Sequence, residues 1–469
     1  MYYITIAFSR FSDIWNAGYP WTEQMKRRQF IQTGPAGIIS GGFSLGNAHA
    51  REEAATYREP ARDVPVVESV DVIICGGGPA GFAAALASAR AGAKTRLIEL
   101  KGCLGGTWTV GLVNCILDSR GKNGIVAEFE RALKDRHSMF ENRIDPELTK
   151  LVLEKMCLDA GVSLRYHTRI AGAACEKGRL TTVVTESKAG REAWNSKAFV
   201  DCTGDGDLAA YAGCGFDIGH PETGDVQPMS FLVYLAGIGP LDELPALSLK
   251  TGAERKDWMY RELKRAGIEP TYSRPTFYGI RDDLAVLMAN HQYRVDALDP
   301  EAVTRATIEA RSEMFAMIEA LRSQGGRWKN IHIVATPEQI GIRECRRIHG
   351  RYTVSVDDLL RGARFKDAVC HVGFGVDIHS IDPGQTKGIM DDGIKSKPYD
   401  IPLRSLIARD VDGLMMAGRN ISGDFFAHAS YRVTGDSVML GEAAGKCAAV
   451  AALSNRFPHD ISIDELELQ

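Results

Sequence analysis

The sequence predicts an α/β fold in which a doubly wound nucleotide-binding domain is interrupted by an inserted α+β domain. Three observations carry this. The first is the stretch 70–99, VDVIICGGGPAGFAAALASARAGAKTRLIE, where an apolar run, a glycine cluster, a small-residue helix and a second apolar run follow one another. The second is a return of the same pattern near the end. There, Gly413-Leu414-Met415-Met416-Ala417-Gly418 reads as a buried strand and 433–453 as another helix of small residues. The third is the charged, irregular character of 220–404 between them. The nucleotide domain is therefore expected to be discontinuous (66–219 and 405–457) around a second domain (220–404), with a short tail over 458–469.

The run Val70-Asp71-Val72-Ile73-Ile74-Cys75 lacks alternation and suits a strand buried on both faces of a parallel sheet. Pro79 sits where a first helical residue is expected, because its fixed φ suits a helix start and its missing N–H leaves nothing unpaired. Gly76-x-Gly78-x-x-Gly81 then reads as a dinucleotide fingerprint. Gly76 serves the tight turn, Gly78 the approach of a pyrophosphate, and Gly81 the contact of helix with strand. Pro79 and Ala80 open a helix whose free N–H groups and positive potential suit phosphates. Glu99 ends the second strand 99 − 81 = 18 residues beyond Gly81, close to where an acid meets ribose hydroxyls.

Downstream, Gly102-Cys103-Leu104-Gly105-Gly106-Thr107-Trp108 is a second glycine loop placed to wrap a cofactor. Helices are expected over 124–136 and 145–160, the latter opening with Asp145-Pro146 as cap and first residue. Strands are expected over 162–167, 172–175, 180–186 and 198–202, the last stopped by Thr203-Gly204-Asp205-Gly206-Asp207. Within the insert, 229–235 reads as a strand that leaves the sheet, and Asp299-Pro300 starts an amphipathic helix reaching Arg322.

The first fifty residues read as an address. Lys26-Arg27-Arg28-Gln29-Phe30 resembles a twin-arginine export signal, an apolar stretch follows, and Ala48-His49-Ala50 fits a small-residue cleavage site. Residues 1–24 fit neither signal nor domain, which makes Met25 an alternative start, and 51–65 is polar linker. The expected location is periplasmic, or cytoplasmic if the arginine pair is only a basic tail. The 469 residues carry a net charge of −4, with 45% hydrophobic and 25% charged side chains, an ordinary globular composition. That charge offers no general attraction to nucleic acid, and no apolar run is long enough to predict a membrane-spanning helix. Ten cysteines occur without a C-x-x-C pair or metal-ligand spacing, so no metal is expected.

The chain resembles the bacterial FAD-dependent oxidoreductases that are distantly related to the fumarate reductase and succinate dehydrogenase flavoproteins, over about 70–453. The carriers are Cys75-Gly76-Gly77-Gly78-Pro79-Ala80-Gly81, Leu104-Gly105-Gly106-Thr107, Cys202-Thr203-Gly204-Asp205-Gly206-Asp207, Gly341-Ile342-Arg343-Glu344, Ile401-Pro402-Leu403-Arg404-Ser405 and Ala417-Gly418-Arg419-Asn420-Ile421-Ser422. The resemblance implies a Rossmann-like, glutathione-reductase-type domain holding FAD extended, with adenosine at Glu99 and the flavin between the domains. The cofactor set it implies adds Leu100, Lys101, Gly105, Gly106, Thr107, Thr203, Gly204, Asp205, Gly418, Arg419 and Val433 to the fingerprint. The helix beginning near Val433 would aim its N-terminus at the flavin edge that becomes anionic on reduction. Disulfide reductases of similar fold carry a cysteine pair with four residues between; Cys103 and Cys115 have eleven, so dithiol chemistry is not expected. Thr107-Trp108-Thr109 stands where covalently flavinylated relatives offer a histidine, so FAD is expected to be non-covalent.

Arginine binds carboxylates bidentately, and histidine suits proton transfer near neutral pH. Arg343, Arg404 and Arg432, with His379 and His428, are therefore the candidate catalytic set. The expected activity is hydride exchange between FAD and a small polar, hydroxylated or carboxylated metabolite. The rivals are reduction of an unsaturated carboxylate and a non-catalytic flavin redox partner. Expected partners are that small-molecule substrate, an electron acceptor of unassigned identity and a second copy in a homo-oligomer, with neither nucleic acid nor a stable membrane span.

Overall fold

The apolar run around Ile73 forms a strand, Val66–Cys75, whose second half is fully buried. In the computed structural model, residues 56–240, 243–244, 251–382, 389–390 and 393–468 are described. Arg27-Arg28 and 48–50 lie outside the described residues. The chain divides into two compact units, Met1–Arg62 and Asp63–Gln469. Within the first, 56–62 forms no regular element, and Arg62 pairs with Glu59 at 2.8 Å.

In the second unit the main sheet runs in the order Ser163–Arg165, Thr95–Ile98, Val66–Cys75, Gly190–Asp201, Arg179–Ser187, Arg169–Glu176. The first four strands are parallel and the last two form an antiparallel meander. Gly190–Asp201 forks the sheet. Its first half pairs with the meander strand Arg179–Ser187, while Phe199, Val200 and Asp201 pair in parallel with Leu414–Met416. The C-terminal segment thus closes the nucleotide domain. This strand starts eight residues earlier than the reading of 198–202, because Arg191, Glu192, Asn195 and Lys197 break up the apolar run along the meander and mask its signal.

Two helices of small residues cover one face of the sheet. The fingerprint helix Pro79–Arg90 and the closing helix Thr434–Ser454 meet backbone to backbone. A β-carbon on Gly441 would stand 2.1 Å from the Ala80 carbonyl oxygen, and one on Gly445 2.1 Å from that of Ala84. Neither position accepts a side chain without parting the helices.

The insert builds a second sheet, entirely antiparallel, in the order Thr276–Arg281, Leu284–Met288, Leu232–Ala236, His332–Ala335. Two helices pack on it, Gly252–Arg265 and Pro300–Ser323. Thr251 and Glu254 form a capping box on the first, and Asp299 accepts from the Glu301 and Ala302 amides on the second, each cap worth about 1 kcal/mol. Phe231, Val233, Leu287, Met314, Met317 and Trp328 are at the centre of this second core, which spans 229–340. Further along the insert, Ile348, Val354, Leu359, Val372, Tyr399 and Ile401 enter the core of the nucleotide domain instead. The expected 220–404 segment therefore divides between two cores. Among the described residues no helix is long and apolar enough to cross a membrane.

Candidate active site

At the end of the first strand Gly76 takes φ +97°, and a β-carbon there would lie 2.4 Å from the Cys202 carbonyl oxygen. Gly81 is tighter still, since its β-carbon would come within 1.8 Å of the Gly76 oxygen. Gly78 differs from both: a β-carbon there would meet no protein atom within 4 Å. The space in front of it is open. Gly106 packs directly against its backbone, with an ideal β-carbon 2.9 Å from the Gly78 Cα, and the Gly105 amide donates to the Gly77 carbonyl at 2.8 Å. The buried Glu99 carboxylate accepts from the Gly77 amide and, at 2.7 Å, from the Lys101 amide. Burial raises its pKa against the pull of those two N–H groups. Leu100 is exposed, Lys101 extends to Glu338 at 3.0 Å, and Thr107 is exposed at the rim of the second glycine loop.

The third glycine motif meets the first. Gly418, at φ +95°, would place a β-carbon 3.1 Å from that of Ala80. Arg419 is paired with Asp205 at 2.8 Å and lies over Gly204. Thr203 donates its hydroxyl to the buried Asp201 at 2.7 Å and accepts from the Asp207 amide. Burial lifts Asp201 to about 6. Asp205 and Arg419 therefore neutralise each other, while Val433 caps the closing helix beside them. An acid at the end of the second strand, an uncrowded Gly78 at one helix N-terminus, and a second helix N-terminus beyond fit FAD. Glu99 and Gly78 with Gly106 would hold its nucleotide half.

Just before the closing helix lies a polar cluster drawn from six separate segments. Arg432 donates to the Asp377 carbonyl at 2.7 Å and to Gln227 Oε1 at 3.0 Å. The same Gln227 oxygen accepts from the His379 amide at 3.1 Å. His379 Nδ1 is 3.0 Å from His291 Nε2, and His379 Nε2 is 3.5 Å from the Asp377 carboxylate. Tyr272 stacks on His291 with ring centroids 4.1 Å apart. Arg343 donates to the Pro228 carbonyl and approaches Met288 Sδ at 3.8 Å, and no carboxylate among the described residues is within salt-bridge distance of it. Tyr272 Oη, Gln227 Nε2 and Arg432 Nε are buried without any hydrogen-bond partner among the described residues.

The electrostatics follow from that crowding. Burial, reinforced by Arg343, holds His379 down at about 3 and pulls His291 well below the ordinary histidine value, so both are neutral at pH 7. Burial and the neighbouring Arg432 lower Arg343 to about 10, which leaves it charged. Burial alone would raise Asp377, but His379, Arg432 and Arg343 together outweigh it and keep the carboxylate ionised. Burial also lowers Lys256, against the pull of Asp377.

The structure thus brings together three of the five sequence candidates: Arg343, Arg432 and His379. It sets the other two apart. His428 is fully buried, with both ring nitrogens unpartnered and its ring edge-on to Tyr431 at 5.7 Å; burial and then Arg347 hold it neutral. Arg404 lies 4.7 Å over the Tyr352 ring and 5.3 Å over that of Phe365, paired with Asp367 at 3.3 Å and partly in solvent. It lines a surface pocket with Arg351, Lys366 and His459. Sequence reasoning missed Tyr272, His291 and Gln227. Only His291 left a trace, as a polar break after the apolar strand Leu284–Met288. Cys103 and Cys115 turn to different partners, Thr109 at 3.7 Å and Tyr278 at 3.3 Å, and all ten cysteines are free.

A forked sheet with a glycine turn at a helix N-terminus, joined to a polar cluster at the closing helix, has the build of a dinucleotide-dependent oxidoreductase. The profile of the FAD dependent oxidoreductases matches residues 71–469, and the chain belongs to that family. Its cofactor is FAD. A stretch of 46 residues is 46% identical to the dihydrolipoyl dehydrogenase of Trypanosoma brucei brucei, covering 10% of this chain and 10% of that protein. Among solved structures, a geranylgeranyl bacteriochlorophyll reductase-like protein from Thermoplasma acidophilum is similar at 13% identity, over 85% of this chain and 82% of that one, with TM-score 0.43. The myxobacterial chondrochloren halogenase CndH is similar at 13% identity over 85% and 77%, with TM-score 0.45. A triple mutant of the flavin-dependent brominase Bmp2 is similar at 12% identity over 82% and 81%, with TM-score 0.46.

Proposed function

We propose that this flavoenzyme exchanges a hydride with a small metabolite that carries an anionic oxygen group and a hydroxyl, with the polar cluster as its substrate site. The observation that carries the reading is Arg343, a charged guanidinium without a carboxylate partner, in a cluster that also leaves Tyr272 Oη, Gln227 Nε2 and Arg432 Nε unsatisfied. Buried polar groups ordinarily find partners, so three unmet groups beside a guanidinium that bonds only a carbonyl and a thioether mark the footprint of a polar ligand. FAD, when bound, accepts or returns the hydride. Arg343 and Arg432 hold the anionic group and fix the reacting carbon. His379, kept neutral, takes the hydroxyl proton at Nε2, and Asp377 stabilises the imidazolium so formed. Tyr272 closes the site with an apolar ring and one donor.

Anaerobic bleaching of the bound flavin across sugars, polyols and hydroxy acids tests this. Hydroxy acids should bleach it with the lowest KM, and Arg343→Ala should raise that KM. Bleaching by neutral polyols alone, unaffected by Arg343→Ala, would refute it. The same two arginines suit an unsaturated carboxylate, and reoxidation of the reduced flavin by such compounds, without bleaching by hydroxy acids, would favour that direction. The Arg27-Arg28 pair supports export of the folded, FAD-loaded protein to the periplasm.

A further inference from the structure

Beyond His379 the cluster continues toward the surface. His291 Nδ1 is 3.3 Å from the Tyr293 hydroxyl, and that hydroxyl is 3.2 Å from the Thr271 carbonyl oxygen. A carbonyl can only accept, so the single hydroxyl proton of Tyr293 is committed to Thr271. His291 Nδ1 must then be the donor to Tyr293 Oη. A neutral His291 that is protonated on Nδ1 presents a bare Nε2, which can only accept from His379 Nδ1. A neutral His379 protonated on Nδ1 in turn presents a bare Nε2. That nitrogen faces Asp377 across 3.5 Å, a separation at which no strong hydrogen bond closes the chain. One fixed hydroxyl thus determines the tautomers of two imidazoles and leaves a proton acceptor at the inner end.

We propose that His379, His291 and Tyr293 form an outward-directed proton relay that carries the substrate's hydroxyl proton from the buried site to solvent. The inference rests on the hydroxyl-oxidation reading above. As C–O–H becomes C=O, the hydride leaves carbon for FAD and the hydroxyl proton goes to His379 Nε2. His379 gives its Nδ1 proton to His291 Nε2, and His291 gives its Nδ1 proton to Tyr293 Oη. Tyr293, half-buried beside the exposed Arg294, turns its hydroxyl from the Thr271 carbonyl and releases its own proton to water. One proton enters and one leaves, and a turn of each imidazole restores the starting polarity. The surrounding charges favour that direction. Arg343 faces both imidazoles and Tyr293, Arg432 faces His379, and both cations oppose retention of a proton at the inner end. Asp377, with Lys256 beside it, steadies the first imidazolium, while Asp382 and Glu313 place negative charge near Tyr293 at the outer end. The two rings meet edge to face with centroids 5.0 Å apart, and their aligned tautomers make one donor-to-acceptor chain that runs outward through both.

The direct test needs no substrate. In protein labelled with 15N-histidine at pH 7, with signals assigned by loss in His291→Gln and His379→Gln, both rings should be neutral and carry the proton on Nδ1. An Nε2-protonated tautomer, or an imidazolium, at either residue overturns the relay. Tyr293→Phe removes the acceptor and should shift the His291 tautomer while leaving that of bulk histidines unchanged. With a bleaching substrate, Tyr293→Phe should slow anaerobic flavin reduction about tenfold, against the roughly 10²–10⁴-fold expected for His379→Gln, with KM held within about twofold. It should also enlarge the solvent deuterium isotope effect. A wild-type rate and isotope effect in Tyr293→Phe would refute the relay even if hydroxy acids are substrates. If no hydroxylated compound bleaches the flavin, the substrate reading fails, and the tautomers still decide the polarity of the chain.

Discussion

Gly78→Ala separates binding from folding, because its neighbours are so unlike those of Gly81. At Gly78 the backbone lies at φ −69° and ψ −171°, an extended conformation open to any residue and favoured before a proline. No protein atom lies within 4 Å of the added methyl. The apoprotein should therefore keep its stability or gain about 0.4–1 kcal/mol from the stiffer unfolded chain. FAD should suffer, since the methyl occupies the space through which a pyrophosphate approaches the helix N-terminus. Losing one charge-assisted hydrogen bond costs about 1.5–3 kcal/mol, so the FAD dissociation constant should rise roughly 10- to 100-fold. Gly81→Ala is the contrast. Its β-carbon would lie 1.8 Å from a backbone oxygen, so strand and helix must part and the apoprotein itself should melt lower. Flavin occupancy by absorbance, combined with melting curves of apo and FAD-loaded protein, reads both effects. Wild-type FAD affinity in Gly78→Ala, or an unchanged apo melting curve in Gly81→Ala, would refute the reasoning.

His379 titrates at about 3 when folded and near 6.5 when unfolded, so the unfolded chain binds the extra proton between those values. Its effect on stability is absent above about pH 7 and grows as pH falls through that window, reaching about 2 kcal/mol of destabilisation at pH 5. Urea unfolding of wild type and His379→Gln at pH 7.5 and pH 5 should show the variant losing less on acidification, and a pH-independent difference between them would contradict the buried neutral imidazole. Arg404→Ala should leave flavin reduction within about twofold, because its charge is held by Asp367 and two aromatic rings, whereas Arg343→Ala should raise KM by tenfold or more. Steady-state kinetics of the two variants side by side would expose the reverse ordering. Changing Arg27 and Arg28 both to lysine should leave FAD-loaded precursor in the cytoplasm, and fractionation showing undiminished export would end the twin-arginine reading.

Much of the nucleotide half was legible because its determinants are local. The turn at Gly76, the helix start at Pro79 and the carboxylate of Glu99 all belong to one strand–helix–strand passage, and each residue type answers to contacts within it. Caps were legible for the same reason: Asp145 and Asp299 bond amides two and three residues ahead. The extent of Gly190–Asp201 was not, because a strand with one end in a parallel sheet and the other in a meander has no single periodicity.

The arginines show where sequence stops. Arg343, Arg404 and Arg432 stand in equally suggestive motifs, and nothing local distinguishes them. What sorts them is the partner each meets. Asp367 and two rings hold Arg404 at the surface, while Arg343 reaches the cluster with no carboxylate among the described residues within salt-bridge distance. His291 and His379 are 88 residues apart, and their 3.0 Å contact exists only because the second sheet is folded against the segment preceding the closing helix. By itself, then, the sequence determined that a parallel sheet with a glycine turn at a helix start would form, since strand pattern, glycine turns and helix starts are encoded within a few residues. The tertiary structure alone decided which charged side chains lose their water and their partners together, because burial and pairing depend on elements that are distant along the chain.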